Sequence, residues 1–361
     1  MTRSLLLPTL PVCADEVTQG YFSRLGHFHA GVDVVRFCGY FGLRPPDLRD
    51  GTEEFANALV AVYGAEADAV DRNLLRRISD DSFLLRGVTL SLPVLLRTTV
   101  RFCPDCVRDD AASHPELGQG AVRLRWSWLL RPVVRCPLHV TSMVECSTRD
   151  SAKAFDLPTL LAHHQMSATS APPVEPHLQG KLQSYVLGWL DGRRDASAWL
   201  DKQTIAQGVK ACEMLGSLIA DGPEVEIKAY TEFDWARVGH LGFDVCVGGG
   251  DAISEALIAI RRMSGRRSGR TGPQAVFGKL YRWLEYADRA VDAGPIRGLV
   301  RDAIQNSFVI EPGELVFGEA VDRLRVHSVN SLKVKTGLNP KRLYRLLRKA
   351  GMIPEDTNQE A

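Results

Sequence analysis

The sequence has few cysteines, no long uninterrupted hydrophobic run and almost no net charge. Its eight cysteines in 361 residues are too sparse for a disulfide scaffold, so cysteines close together along the chain indicate a metal or redox site. The longest apolar stretch, around Ser82–Leu96, is interrupted by Arg86 and is too short to span a bilayer. The formal net charge of +1 gives no overall field that would attract nucleic acid or a membrane.

The sequence also lacks a recognisable targeting signal. Its start, MTRSLLLPTLPVCADE, has two prolines in the apolar part and no small-residue cleavage site after it. We therefore expect a soluble, cytoplasmic protein without a membrane partner.

Motifs of common enzymes are missing as well. There is no P-loop and no Gly-x-Ser-x-Gly, and the acidic residues form no metal-binding motif. We predict that the chain is not an enzyme. A metal-dependent nucleic-acid enzyme is kept as an alternative, because carboxylate clusters assemble in space and need not form a motif.

Most of the chain has the apolar spacing of helices. Val17, Tyr21, Leu25 and Phe28 fall on one helical face, with Asp15 as the predicted cap. The same spacing predicts further helices around 55–62, 182–189, 202–220, 251–263, 274–291 and 314–325.

One segment departs from this pattern. In Arg123–Leu129, Leu124, Trp126 and Trp128 alternate with polar residues, which predicts a short strand between two cysteine-containing turns. The predicted fold class is therefore mainly α with a small zinc-ribbon-like β element. The segment 147–178, rich in Pro, Ser, Thr and Ala, is predicted to be a linker. The predicted domains are a metal-binding domain 1–146, the linker 147–178, a helical domain 179–322 and a basic helix-turn-helix 323–354.

Two short turns carry the ligands of a predicted metal site. Cys103-Pro-Asp-Cys106 and Cys136-Pro-Leu-His139 lie 29 residues apart. Together they supply the four N/S ligands of tetrahedral zinc, and no position remains for a reacting water. We predict one structural Zn²⁺ held by Cys103, Cys106, Cys136 and His139. The alternative, a redox Cys-x-x-Cys pair, would not require the second turn.

The other cysteines are isolated along the sequence and are predicted to be small buried hydrophobic residues. Cys146, with His163 and His164, leaves open a second metal site, although the spacing of these ligands is poor.

These motifs resemble the TniQ family of transposition accessory proteins, which includes the TnsD target selectors. The resemblance covers about residues 8–146. It is carried by the acidic and aromatic helix of Asp15–Leu25, by the two cysteine turns and by Trp126-Ser127-Trp128 between them. Two features depart from the family pattern. A second Cys-x-x-Cys pair is reduced to Cys146, and Tyr21 and Phe22 stand where the family has Ser and Trp.

The resemblance implies a target-selection or adaptor protein in a bacterial, nucleoid-associated transposition complex. Such a protein connects a target-recognition element to an AAA+ ATPase, which recruits the transposase. Recognition uses the protein's own DNA-binding domain or, in some family members, an RNA-guided CRISPR effector complex. Whether the chain forms a homodimer is left open. The alternative function is that of a zinc-containing helix-turn-helix transcription regulator.

The C-terminal segment is strongly basic. Residues 323–354 contain nine Lys or Arg and no acidic residue. Val329–Gly351 fits a helix-turn-helix with Gly337 at the turn, Asn339 as cap and Pro340 at the first helical position. Leu343, Leu346 and Leu347 are predicted to face inward.

The outward residues are the candidates for contact with nucleic acid. They are Lys333, Lys335, Asn339, Lys341, Arg342, Tyr344, Arg345 and Arg348. A basic surface helix that contacts a protein partner is the alternative. The loop Arg261–Arg270, with five arginines, is a second candidate for binding phosphate or RNA.

Overall fold

The computed structural model describes residues 7–63, 67–163, 180–194, 197–264, 272–286 and 292–352. Its secondary structure is mostly helical with a few small sheets, which confirms the predicted fold class. The chain forms two compact units. The N-terminal unit is Met1–Ala220 with Glu226–Gly249, and the C-terminal unit is Asp221–Val225 with Gly250–Ala361.

The N-terminal unit begins with five helices around an aromatic core. They are α1 (Thr18–Ala30), α2 (Val34–Tyr40), α3 (Pro45–Asp50), α4 (Glu53–Tyr63) and α5 (Ala67–Arg72). The ring of Phe22 on α1 lies 4.9 Å from that of Phe37 and 5.2 Å from that of Phe55, centroid to centroid. Each of these side chains is nearly inaccessible to solvent, so the helices enclose one hydrophobic core.

Polar residues of α1 connect it to the rest of the unit. Glu16, before the helix, forms a buried ion pair of 2.8 Å with Arg24. The Gln19 side chain donates to the Leu75 carbonyl at 2.7 Å and accepts from the Leu75 N–H at 3.2 Å. The predicted cap is wrong, because Val17 occupies the cap position and Asp15 instead pairs with Arg123 at 3.1 Å.

A three-stranded antiparallel sheet follows the first helices. It consists of β1 (Arg76–Arg77), β2 (Ser82–Leu85) and β3 (Val88–Ser91). The turn between β2 and β3 is formed by Arg86 and Gly87, whose φ angles of 53° and 74° are those of a tight hairpin. Arg86 therefore interrupts the apolar run of the sequence because it turns the chain.

The second sheet encloses the cysteine turns. β4 (Thr99–Phe102) leads directly into α6 (Pro104–Ser113), and β5 (Val144–Ser147) follows the second turn. The two strands pair antiparallel, with Val100 opposite Cys146 and Phe102 opposite Val144. The pairing brings both ends of the metal-site segment together.

The strand predicted at Arg123–Leu129 is wrong. Trp126–Leu129 forms a 3₁₀ turn, in which all four residues are buried. The alternation misled because Arg125 does not face solvent. It is 6% exposed and pairs with Asp110 at 3.0 Å, so a buried charge occupied a position that resembled a solvent-facing one.

Four further helices complete the N-terminal unit. They are α7 (Leu157–His163), α8 (Lys181–Leu190), α9 (Ile205–Asp221) and α10 (Glu232–Cys246). Helices α9 and α10 cross in close contact, because a Cβ atom at Gly216 would lie 1.8 Å from the Val238 carbonyl oxygen. A Cβ at Gly242 would lie 1.8 Å from the Cys212 carbonyl oxygen, so both positions require glycine.

The predicted linker is packed in the part that the structure describes. Residues 153–155 form a 3₁₀ turn, α7 follows, and Phe155 and Leu157 are buried. The Asp156 carboxylate accepts hydrogen bonds from the His27 ring at 2.7 Å and from the Val34 N–H at 2.8 Å. Residues 147–163 are therefore part of the N-terminal unit, and the predicted domain boundaries stay predictions.

The C-terminal unit contains helices and a short hairpin. Its elements are α11 (Gly249–Ser264), α12 (Pro273–Tyr286), α13 (Ile296–Ser307), β6 (Leu315–Val316), β7 (Glu319–Ala320), α14 (Val329–Thr336) and α15 (Pro340–Lys349). The helix predicted at 314–325 is wrong. Phe317 and Gly318 have φ angles of 55° and 81°, which turn the chain into the hairpin. The other predicted helices are confirmed in outline, and residues 287–291 lie outside the described residues.

Candidate metal centre and nucleic-acid interface

The two cysteine turns bring four metal-ligating side chains together. The donor atoms of Cys103, Cys106, Cys136 and His139 all lie within 4.8 Å of one another. The Cys106 Sγ lies 3.5 Å from the Cys136 Sγ and 3.3 Å from the His139 Nδ1. The three cysteines are buried and His139 is half-buried. The predicted ligands thus form one cluster.

The distances in this cluster fit a tetrahedral metal ion. A Zn–S bond of about 2.3 Å places two tetrahedral sulfur ligands about 3.8 Å apart. The His139 Nδ1 lies 3.5 Å from the Cys103 Sγ and 3.6 Å from the Cys136 Sγ, close to that spacing. A redox pair needs only two thiols. The third thiol and the imidazole at equal distances favour a four-ligand metal site.

Local structure positions each ligand. Cys103 is the N-cap of α6 and Cys106 lies in its first turn, where the helix dipole favours a thiolate. The second turn is closed by a hydrogen bond from the Cys136 N–H to the Thr141 carbonyl at 2.9 Å. The His139 N–H donates to the Cys136 Sγ at 3.4 Å, as expected for a metal-binding turn.

Polar neighbours orient the ligands. The His139 Nε2 lies 2.8 Å from the Asp109 carboxylate, which fixes the ring so that Nδ1 faces the three thiols. The Thr141 hydroxyl lies 3.6 Å from the Cys103 Sγ and donates to Asp105 at 3.3 Å. Sequence reasoning missed Asp109. Its position three residues after Cys106 on the same helix was the available signal.

The cluster is also prepared electrostatically. Hydrogen bonds with the side chains of Cys106 and Cys136 hold the pKa of the Cys103 thiol well below its usual range. Burial lowers the pKa of His139, but its hydrogen bonds and charge interactions with Asp109 and Cys103 together outweigh this, and the net shift is upward. Hydrogen bonds with Cys103 in turn raise the pKa values of the Cys106 and Cys136 thiols, so the three thiols do not favour the thiolate form equally.

A network of ion pairs holds the C-terminal half of α6 through Asp110. Asp110, 4% exposed, accepts from Arg123 at 2.7 Å and from Arg125 at 3.0 Å. Asp15 pairs with both arginines at 3.1 Å. These salt bridges connect Asp15, which precedes α1, to the segment Arg123–Leu129, and they connect that segment to α6. No spacing of these residues along the chain predicts this network.

No second metal cluster occurs among the described residues. Cys146 lies on β5 and is buried, with its pKa raised by burial as for an ordinary core thiol. His163 ends α7, and His164 lies outside the described residues.

The predicted helix-turn-helix is present as two packed helices. Helix α14 ends at Gly337, whose φ of 66° allows the turn. Asn339 caps α15 by accepting the Lys341 N–H at 2.9 Å, and Pro340 occupies the first helical position. The cap, proline and glycine positions are therefore as predicted.

Most of the predicted contact residues are accessible to solvent. The exposed ones are Lys333, Lys335, Asn339, Lys341, Arg342 and Arg345, and the half-buried ones are Tyr344 and Arg348. The inward placement of Leu346 is wrong, since this residue is 45% exposed. Leu343 is buried and Leu347 is half-buried, so these two lie on the packed side of α15.

The second basic candidate is described only in part. Arg261 and Arg262 belong to the last turn of α11, whereas Arg266, Arg267 and Arg270 lie outside the described residues.

Among the described helices, none is both long and apolar enough to cross a membrane.

Residues 7–143 match the family model of TniQ, and this segment contains the whole metal cluster. No curated protein matches the sequence. The matched segment covers less than half of the chain and agrees with the resemblance found over residues 8–146 of the sequence.

Proposed function

Because residues 7–143 are a TniQ-family domain, we propose that the chain selects target sites for transposition as an adaptor in a larger complex. In this proposal the C-terminal helices hold nucleic acid, and the TniQ domain contacts an AAA+ ATPase that recruits the transposase. The observation that carries the proposal is the presence of the TniQ domain and an exposed basic helix pair in one chain. Recognition through an RNA-guided CRISPR effector remains an alternative to direct DNA contact.

The metal in this proposal is one structural Zn²⁺. Three thiolates and one imidazole are the soft and borderline donors that zinc prefers, and four protein ligands complete its coordination. Such an ion ties β4, α6 and the second turn together. It supplies folding free energy and carries out no chemistry.

DNA contact is assigned to α15. Lys341, Arg345 and Arg348 recur at spacings of four and three residues, which places their side chains along one side of the helix. The buried Leu343 lies on the other side. A helix with cations along its outer side and an apolar anchor inside fits a phosphate-lined groove.

The test removes these three cations and the neighbouring Arg342 without changing the apolar anchor Leu343. Replacing Lys341, Arg342, Arg345 and Arg348 by Ala should preserve the circular dichroism spectrum and weaken duplex binding by at least tenfold. If about five phosphates are contacted, the wild-type log–log salt slope is about −4 to −5, and the variant slope should be shallower.

A matched control removes the same charge elsewhere. Arg36, Arg72, Lys153 and Arg282 are exposed cations outside the two basic helices and outside the loop Arg261–Arg270. Their combined replacement by Ala should leave affinity nearly unchanged. Equal losses in both variants would show that only overall charge matters, and no loss in the α15 variant would remove α15 as the DNA reader.

The partner assignment needs a separate measurement. The intact protein should co-purify with an AAA+ ATPase from its native host, and the interaction should survive the α15 replacements. Co-purification with RNA polymerase and no transposition protein would favour the transcription regulator instead.

A further inference from the structure

A polar cavity in the C-terminal unit has no assigned role. Its volume is about 340 Å³, and it lies between α13 and the segment that follows β7. The residues that line it are Arg301, Gln305, Asp322, Arg323 and Arg325. All five belong to one compact unit.

One residue that lines this cavity, Gln305, has a side-chain amide without a hydrogen-bond partner among the described residues. Gln305 is 5% exposed, and its side chain makes no hydrogen bond to any described residue. The oxygen and nitrogen of this amide are not among the fully buried polar atoms that lack a partner, so they are accessible from the cavity. The Gln305 side chain lines an open cavity, so a group inside the cavity could complete its hydrogen bonds.

Two arginines of the wall are held in place by their neighbours. Arg301 pairs with Glu319 through one terminal nitrogen and donates to the Ala320 carbonyl at 2.7 Å through the other. Its Nε is buried and has no hydrogen-bond partner among the described residues. The Nη1 of Arg325 donates to Asp302 at 2.9 Å and to Asn306 at 3.3 Å.

The charge of the lining favours an anion. Three arginines and one acid, Asp322, line the cavity, and Arg323 forms no ion pair with a described residue. The carboxylates that pair with Arg301 and Arg325 belong to Glu319 and Asp302, whose side chains are 61% and 59% exposed. Water screens such exposed pairs, so an incoming anion can compete with them.

We propose that this cavity binds a phosphate group, and that the group belongs to a nucleic-acid backbone. Guanidinium groups and a side-chain amide are donors, and the arginine fork matches the geometry of phosphate oxygens. Arg323 and Arg325 are also the first cations of the basic segment 323–354, which contains the helices assigned to nucleic acid. The assignment of the phosphate to nucleic acid rests on the proposed function, whereas the assignment of a phosphate site rests on the cavity alone.

The test separates the amide from the charges. Gln305→Met keeps size and charge but removes the amide, Arg323→Ala removes one lining cation, and Arg282→Ala removes an exposed cation outside the lining. Duplex binding is measured by fluorescence anisotropy across a salt series. In parallel, the melting temperature of each protein is compared in inorganic phosphate and in chloride at equal ionic strength.

We expect Gln305→Met and Arg323→Ala each to weaken duplex binding by about tenfold or more, as for a lost hydrogen bond to a charged group. Arg323→Ala should also make the salt slope shallower by about 0.9, whereas Gln305→Met should leave the slope unchanged. Both variants should lose stabilisation by phosphate. Arg282→Ala should change neither the duplex affinity nor the stabilisation by phosphate.

Other outcomes overturn the proposal in part or completely. Phosphate stabilisation that depends on Gln305, together with unchanged duplex affinity, would overturn the nucleic-acid source and leave a site for a free phosphate compound. Equal behaviour of all variants in both measurements would overturn the site itself. If wild-type protein binds no duplex, the proposed function fails, and the phosphate measurement alone decides whether the cavity is a phosphate site.

Discussion

The metal cluster and the C-terminal basic helices use charged side chains in opposite ways. Beside the cluster, Asp110 and Arg125 are buried and paired, and the half-buried Arg123 binds the same carboxylate. On α14 and α15 the cations are mostly exposed, and Leu343 is the single buried residue of the two helices. Buried charges connect elements of the fold, and exposed charges are available to a partner.

This difference predicts how each region responds to substitution. A change at the metal cluster should act on stability, because its polar groups have no water to replace a lost partner. A change of an exposed cation on α15 should act on binding and leave stability nearly unchanged. The following predictions test that division.

The largest effect is expected from loss of the metal ligands. The double variant Cys103→Ser with Cys136→Ser should bind no metal and should lose much of the helical signal of the N-terminal unit, because metal binding contributes folding free energy. Elemental analysis and circular dichroism are the measurements. Cys13→Ser, at an isolated cysteine outside the cluster, is the control and should keep about one zinc per chain. Full metal retention in the double variant would refute the assigned ligands.

Breaking the buried ion pair before α1 should come next. Arg24→Met leaves the Glu16 carboxylate buried without its partner, which should lower the free energy of unfolding by about 3–5 kcal/mol. Lys181 pairs with Asp244 at 2.6 Å, and the two side chains are 55% and 42% exposed. Lys181→Met should therefore leave the denaturant midpoint almost unchanged. Equal effects of the two substitutions would remove the distinction between buried and exposed pairs.

Among the apolar residues of α15, Leu343 should contribute most to the free energy of unfolding. Leu343→Ala should cost about 2–3 kcal/mol, because it leaves a cavity in the only buried contact of α15. Leu346→Ala, at a 45% exposed position, should cost less than about 0.5 kcal/mol. Chemical denaturation checks both values. A larger loss at Leu346 would show that another surface covers it in solution.

The smallest effect is expected at the residue that orients the histidine ligand. Asp109→Asn keeps the shape of the side chain but weakens its hold on the His139 ring. Metal affinity should fall by about 10- to 100-fold, as for other partners of metal-binding histidines. Competition with a chelator measures this change. Asp68→Asn, on the exposed surface of α5, is the control and should leave the affinity unchanged.

Local patterns in the sequence predicted several features of both regions. The ligand set followed from the spacing of two short turns, and the caps of α15 followed from Asn339 and Pro340. These features depend on neighbouring residues, so the sequence contains their signal. The helix boundaries of α8, α9 and α11 followed from apolar spacing for the same reason.

The errors arose where distant residues decide the structure. Arg125 resembled a solvent-facing residue because its partner Asp110 lies fifteen positions away. Leu346 resembled a core residue because apolar spacing alone does not show whether a neighbouring surface exists. The Gln305 amide gave no pattern, since its significance depends on the cavity around it.

The pairing of β4 with β5 has a consequence for how the metal is captured. Val100 and Cys146 are neighbours in the sheet, so the chain between them is a closed loop that contains all four ligands. Bringing distant ligands together costs chain entropy that grows with the length of the loop. Once the strands pair, most of that chain entropy has already been lost. The turn Cys136–His139 is then held close to the turn Cys103–Cys106. Metal uptake should therefore be fast in the paired form and slow in any variant that frays this sheet.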